Sequence, residues 1–434
     1  MSNPIPEGWE QNKLGKYIGI QGGNAFKSEA FAEKGVPVVR ISNIKKDGSV
    51  NLDGSIFVSQ DESLNRFKVQ FGDTLIAMSG ATTGKVGRYY LNSFSYLNQR
   101  VGRFFVKNDK ISMDYIHQIT AKDSFVLSIL IDAIGGAQPN ISNLQIESIT
   151  ALFPPLPEQQ KIAAILTSVD EVIEKTQAQI DKLKDLKTAM MQELLTNGVG
   201  TKQASTDAAL NNRTACRESY IPHTEFKDSP VGRIPKSWEV KPLSEYVSFL
   251  SYGFTNPMPE SEAGPYMITA KDVYGLKIQY SKARKTTKAA YDDLLTRKSR
   301  PQVNDILLTK DGTLGRVALV EYENCCINQS VAVMTPNEKI LPKFLLYLLA
   351  SPSYQVEMLD KAGGSTIKHI YITIVDKMML SVPCLSEQGR VVRIIDGLLN
   401  KIDLAEKKLL KIKNTKKALM QDLLTGKVRV KVDQ

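Results

Sequence analysis

Residues 162–196 read IAAILTSVDEVIEKTQAQIDKLKDLKTAMMQELLT, and residues 391–425 read VVRIIDGLLNKIDLAEKKLLKIKNTKKALMQDLLT. In the first stretch Ile162, Leu166, Val169, Ile173, Thr176, Ile180, Leu183, Met190 and Leu194 step by alternate fours and threes, interrupted at Lys187. In the second, Val391, Ile395, Leu398, Ile402, Ala405, Leu409, Ile412, Leu419 and Leu423 step the same way, interrupted at Lys416. An apolar repeat of 3.5 residues held for about five heptads is a coiled-coil seam. Prolines precede each stretch, and Asn197-Gly198 or Gly426 follows it, as helix boundaries require. One such stripe could pack on its own domain. Two of equal length and phase can satisfy each other, and mutual pairing is the expectation.

The echo extends outward from these helices. Offset by 229 residues, IPEGWE at 5–10 meets IPKSWE at 234–239, Leu14 and Tyr17 meet Leu243 and Tyr246, and PPLPEQQKI from 154 meets PCLSEQGRV from 383. With a drift of a few residues, Asp73 meets Asp305, Gly84-Lys85-Val86 meets Gly315-Arg316-Val317, Asn98-Gln99 meets Asn328-Gln329, and Gly135-Gly136 meets Gly363-Gly364. An ordered series of this kind is a tandem duplication. Within each copy, short β-like runs such as GVPVVRIS, DTLIAM, PYMITA and DILLTK alternate with turn residues. Helical stretches such as DYIHQITAKDSFVLSILI and PKFLLYLLASPSYQVEMLD follow.

The fold expected is therefore α/β (α+β): two tandem mixed domains separated by two long antiparallel coiled-coil helices, a pseudo-twofold internal repeat. The first mixed domain covers 1–153, a spacer helix 154–197, a polar connector 198–233, the second mixed domain 234–382, a second spacer helix 383–426 and a tail 427–434. A helix of about 38 residues is about 57 Å long, on the scale of one to two DNA turns.

Composition narrows the function. No apolar run is long enough to span a membrane, and the N-terminus has no signal-peptide pattern, so a cytoplasmic protein is expected. Cys216, Cys325, Cys326 and Cys384 show no metal-ligand spacing, and His117, His223 and His369 are scattered, so no metal site is expected. The net charge of +10 is spread: +2 over 1–153, −2 over 154–226, +4 over 227–382 and +6 over 383–434. There is no polybasic tail, so any polyanion must be met by cations that the fold places. No motif supplies chemistry. NPMP at 256–259 lacks the proline and aromatic of an adenine-methyltransferase loop, and GATTGKV at 80–86 is one residue short of a phosphate loop, with Val86 where a magnesium-binding hydroxyl belongs.

A mixed domain opening IP..W, a P.L.EQ junction, a long helix ending MQ.LLT, and the same plan again after TEFKDSPVGRIPKSWEV resembles the specificity subunit of type I restriction–modification systems. The resemblance covers nearly the whole chain. Departures are Cys384 and Ser386 in place of the prolines of PPLPEQ, and GRVVRII in place of KIAAIL. The resemblance implies that the mixed segments are target-recognition domains, each reading one half of a split, asymmetric double-stranded DNA site. The paired helices would set the gap and dock two methyltransferase subunits, joined for restriction by motor and nuclease subunits. It implies no catalysis by this chain and no cofactor bound to it. S-adenosylmethionine would serve the methyltransferase, and ATP with magnesium the motor. Three other readings stay open: a stand-alone DNA-binding regulator or architectural protein, a coiled-coil scaffold without DNA affinity, and an enzyme of unrecognised type.

Base edges are read by Arg, Lys, Asn and Gln on a background of phosphate contacts from Lys, Ser and Thr. Candidates in the first domain are Arg40, Ser42, Asn43, Lys45 and Lys46; Ser79, Thr82, Thr83 and Lys85; Asn98, Gln99 and Arg100; and Gln138 and Asn140. In the second they are Thr269, Lys271 and Asp272; Lys310, Asp311, Thr313 and Arg316; Asn328 and Gln329; and Ser365, Thr366, Lys368 and His369. Asn, Asp, Gly and Thr are also ordinary turn formers. The clusters shared by both copies suit a common structural or phosphate-positioning role, and base choice is expected where the copies differ. Trp9 and Trp238 read as packing anchors.

Overall fold

The two apolar stripes form the two longest helices, Leu156–Thr196 and Leu385–Leu423. A computed structural model describes residues 4–45, 47–80, 82–132, 140–202, 220–364 and 368–432. The chain divides into two units, Met1–Ala178 with Lys407–Gln434, and Gln179–Glu406, so each long helix passes from one unit into the other.

In the first unit, Ile162, Ala163 and Leu166 share a core with Leu423 and Leu424, against which Leu419 and Met420 pack. The start of one helix therefore lies against the end of the other, which is antiparallel pairing. Lys416, which breaks the stripe, reaches Asp170 at 2.6 Å. In the second unit, Met191, Leu194 and Leu195 share a core with Val391 and Ile395 in the same sense. There Lys184 pairs with Glu406 at 2.6 Å. Along the seam Ile162, Leu166, Ile180, Val391, Ile395, Leu398, Ile402 and Leu409 are buried, and Val169, Ile173, Leu183, Met190, Ile412 and Leu419 are half-buried. Thr176 is buried without disrupting the helix because its hydroxyl donates to Val172 O at 2.7 Å.

Both copies build the same globular body. A two-stranded ladder clasps its beginning to its end, Glu10–Lys13 on Thr150–Phe153 and Glu239–Pro242 on Met379–Val382, with Glu10 opposite Phe153 and Glu239 opposite Val382. A four-stranded antiparallel sheet follows. In the first copy its order is Ile18–Gly22, Val101–Val106, Thr74–Ala77, Val86–Arg88; in the second it is Val247–Tyr252, Val331–Pro336, Ile306–Thr309, Val317–Leu319. A second, mixed sheet, five-stranded in the first copy and three-stranded in the second, contains one parallel pair, Val36–Val39 with Ser95–Leu97, or Glu260–Ile268 with Cys325–Ile327. Each apolar helical stretch splits in two: Met113–Thr120 and Asp123–Asp132, and Pro342–Ala350 and Pro352–Asp360. In the second copy Pro352 causes the break, since it has no N–H to continue a helix but suits the first turn of a new one.

The P.L.EQ junction has an internal task that its sequence does not announce. The Trp9 indole donates to Glu158 Oε2 at 3.0 Å, and the Trp238 indole to Glu387 Oε2 at 3.3 Å. Gln159 donates to Lys110 O and Pro154 O and accepts from Ser112 N. Gln388 does the same with Lys339 O, Pro383 O and Leu341 N. The tryptophans are thus packing anchors, and Glu-Gln fastens each long helix to its globular body. A hairpin of Phe226–Ser229 with Gly232–Pro235 joins the end of the connector to the start of the second domain.

Candidate nucleic-acid interface

Four polar segments of the first copy converge at one end of its sheets. The turn leaving Thr74–Ala77 is closed by Thr83, whose hydroxyl donates to Gly80 O at 2.6 Å. It is tied to the segment after Val39 by Thr82, whose hydroxyl donates to Ile41 O at 3.4 Å. Asn98 N donates to Val39 O and Met78 N to Arg100 O, which seats the Asn98–Arg100 turn between them. Ser79 is bridged antiparallel to Asn140, and Ile141 N donates to Met78 O at 2.8 Å. Ser42, Gln99, Arg100 and Asn140 are exposed around the resulting rim, while Ser79, Thr82 and Lys85 are half-buried.

The second copy repeats the construction. The Thr313 hydroxyl donates to Ala270 O at 3.1 Å. Asn328 N donates to Ile268 O, Lys310 N to Ser330 O and Ile370 N to Lys310 O, and Asp311 is bridged to His369. Lys271, Thr313, Gln329 and Lys368 are exposed there. Glycine permits the closeness at equivalent places: a Cβ on Gly23 would lie 2.2 Å from Leu97 O, and one on Gly253 1.8 Å from Ile327 O.

Several candidates prove to serve the frame itself. Asn43 is buried: it donates to Asn51 O at 2.8 Å and Ser55 Oγ at 3.1 Å and accepts from Arg40 N at 2.9 Å. Asp272, buried at the matching place, accepts from Thr269 N and Thr269 Oγ1 at 2.8 and 2.7 Å. Asn43 and Asp272 are enclosed and committed to these turns, so they leave the reading set, and half-buried Thr269 spends its hydroxyl proton on Asp272. Arg40 donates to Gly54 O at 2.8 Å and Lys45 to Ser42 O at 3.3 Å. Asn98 accepts from Arg100 N, and Asn328 from Ser330 N and Ser330 Oγ, so both asparagines shape their turns. Thr83 is buried as well. Lys46, Gln138, Ser365 and Thr366 lie outside the described residues.

The second rim sets a carboxylate, Asp311, among its cations. Lys310 Nζ donates to Asp311 Oδ2 at 2.8 Å and lies 5.4 Å from the Tyr252 ring centroid. Asp311 Oδ1 meets His369 Nδ1. Burial opposes the charged form of Asp311, but the hydrogen bonds from His369 and Lys310 outweigh it and hold the carboxyl below its ordinary range. Arg316 donates to Val273 O at 3.3 Å and stacks over Tyr274, an exposed aromatic that sequence reading passed over. Its signal was available: Tyr274 matches Lys45, a position where the copies differ. Among the described residues no group of three or more His, Cys, Asp or Glu side chains could hold a metal ion, and no helix is long and apolar enough to cross a membrane.

Comparison with known proteins gives concordant results. The family model "Type I restriction modification DNA specificity domain" matches twice, over residues 6–185 and 235–414, well over half of the chain, with the repeat's 229-residue offset. Over 98% of its length the chain is 26% identical to the type I restriction enzyme MjaVIII specificity subunit of Methanocaldococcus jannaschii, covering 94% of that protein. It is 23% identical to the EcoBI specificity subunit of Escherichia coli, again over 98% of its length and 87% of the relative. The S subunit of a type I system from M. genitalium shares the fold, with a TM-score of 0.59 at 15% identity over 98% of this chain and 97% of that one.

Proposed function

The chain belongs to the type I restriction–modification DNA specificity family, and on that premise we propose that it is the non-catalytic specificity subunit of such a complex. In this reading each globular body binds one half of an interrupted, asymmetric double-stranded DNA site through its polar rim. The observation that carries it is the convergence, in both copies, of separate Lys-, Arg-, Asn-, Gln- and Thr-bearing segments on one sheet end. Half or more of protein–DNA hydrogen bonds go to phosphate and sugar, which suits the matched Thr and Lys positions, while base edges require exposed Arg, Asn or Gln. Two methyltransferase subunits, using S-adenosylmethionine, dock on this chain and methylate adenine N6. Motor and nuclease subunits, using ATP and magnesium, join for restriction in the cytoplasm.

The test is to map methylated adenines in cells carrying the chain and its methyltransferase partner. A bipartite sequence that depends on this chain is expected; methylation that ignores its deletion would refute the reading. Replacing 234–382 with another such domain should alter one half of the sequence only. The length of the paired helices should set the gap. Inserting one heptad into each adds about 10 Å of helix, so a gap longer by about 3 base pairs is expected.

A further inference from the structure

The two rims share a backbone frame and fill it with different chemistry. The antiparallel bridges Ser79 to Asn140 and Asp311 to His369 occupy equivalent places, each backed by a ladder bond, Ile141 N to Met78 O at 2.8 Å and Ile370 N to Lys310 O at 2.9 Å. In the first copy two of the matched positions are Met78 and Gly22, which carry no charge. In the second they are Lys310 and Tyr252, with the Lys310 ammonium on Asp311 and over the tyrosine ring. Asn140 is exposed, and the His369 side chain is 40% exposed, against 22% for Asp311 beneath it. Unlike Asn43 and Asp272, Asn140 and His369 do not close a buried turn.

We propose that Ser79–Asn140 and Asp311–His369 are the equivalent base-reading pairs of the two domains, and that their difference makes the half-sites unlike at one matched position. This rests on the reading that the rims bind DNA. A carboxamide offers a donor and an acceptor side by side, the complement of the N6/N7 edge of adenine in the major groove. The His369 ring has one nitrogen engaged by Asp311, which leaves a single nitrogen for a base, and one contact point cannot reproduce the amide pattern. The first domain therefore prefers adenine at this position and the second does not.

Reciprocal grafts test this. Asp311→Ser with His369→Asn places the first pair in the second body, and Ser79→Asp with Asn140→His makes the reverse exchange. Each full-length chain is expressed with its methyltransferase partner, methylated sites are mapped, and the purified complex is used to select duplexes from a random pool. The first graft is expected to bring adenine to one position of one half-site, with a preference of about tenfold or more. The second should remove adenine from one position of the other half-site. Lys368→Ala, beside His369 and exposed, should lower occupancy without altering the sequence. An unchanged sequence in both grafts, or lost methylation in both with no new sequence emerging from the pool, would overturn the assignment. Absence of any sequence preference in the unaltered complex would instead overturn the DNA-reading function.

Discussion

Glu158 and Glu387 hold the same position in the two repeats, take the same indole N–H, and are both only 3% exposed, yet they are satisfied by different partners. Around Glu158 the balance comes from one cation. Arg429, in the segment after the second long helix, donates from Nε at 2.7 Å and from Nη2 at 2.8 Å. Around Glu387 it comes mainly from dipoles. Val199 N and Gly200 N, just after the first long helix, donate at 3.0 and 3.2 Å, and His223 Nε2 lies 2.9 Å away. The chain runs so close here that a Cβ on Gly198 would fall 2.3 Å from Glu387 Oε1. The repeat fixes a buried carboxylate at each helix start. A buried carboxylate must be paired or fully hydrogen-bonded, and whatever segment follows the partner helix supplies the means.

The largest effect is expected from removing the dipole-held member. Glu387→Ala strands two backbone N–H groups and an indole N–H in an enclosed site, at about 1–3 kcal/mol for each unsatisfied group, so a loss of about 3–5 kcal/mol in urea unfolding of the full chain is expected. Glu158→Ala should cost less, because the Arg429 side chain is 44% exposed and can return to water. Equal losses would erase the distinction between the two latches.

Arg429→Ala addresses the cation directly. Among the described residues it leaves Glu158 with the Trp9 indole alone, and it removes a guanidinium that lies 5.7 Å from the indole ring centroid. A loss of about 1–2 kcal/mol is expected, with red-shifted Trp9 emission measured in a Trp238→Phe background. Arg429→Lys should recover only part of this, since an ammonium cannot form the fork. Full recovery by lysine would mean that charge alone, without geometry, holds the first latch.

The architecture was legible because it is written in periodicity. The 3.5-residue stripe and the 229-residue echo are properties of many residues at once, and tertiary context does not disguise them. Sites are written in single residues, where a turn former and a DNA reader look alike. Asn43 and Asp272 have the right chemistry for base edges, and only their enclosure reveals that they cap a turn. The partners of Glu158 and Glu387 were illegible for another reason. Arg429 lies 271 residues from Glu158, and nothing in GKVRV marks one cation as the member of a buried pair. The repeat did carry a usable signal, since Trp9 and Glu158 are both 229 residues from their counterparts, as a coupled pair would be.

A last difference separates the copies by pH. His117 on Met113–Thr120 matches Leu346 on Pro342–Ala350, an equivalence fixed by the two glutamine contacts that precede the helices. Burial, reinforced by Arg88 and Lys416, pushes the His117 pKa down to about 3, and its buried Nδ1 has no hydrogen-bond partner among the described residues. The folded chain therefore keeps this ring neutral, while the unfolded chain protonates it below about pH 6.5. A depressed folded pKa means that stability is fully present above about pH 6.5 and is lost as pH falls from there toward 3, at up to about 1.4 kcal/mol per pH unit. His117→Leu installs the second copy's residue. Between pH 6.5 and 5 the parent should lose about 1.5 kcal/mol more than the variant in urea unfolding. At pH 8 the variant should be no less stable, since an unpartnered nitrogen is replaced by an apolar group. Parallel pH profiles would show that His117 gains its proton without cost to the fold, and the helix would then not distinguish the two copies.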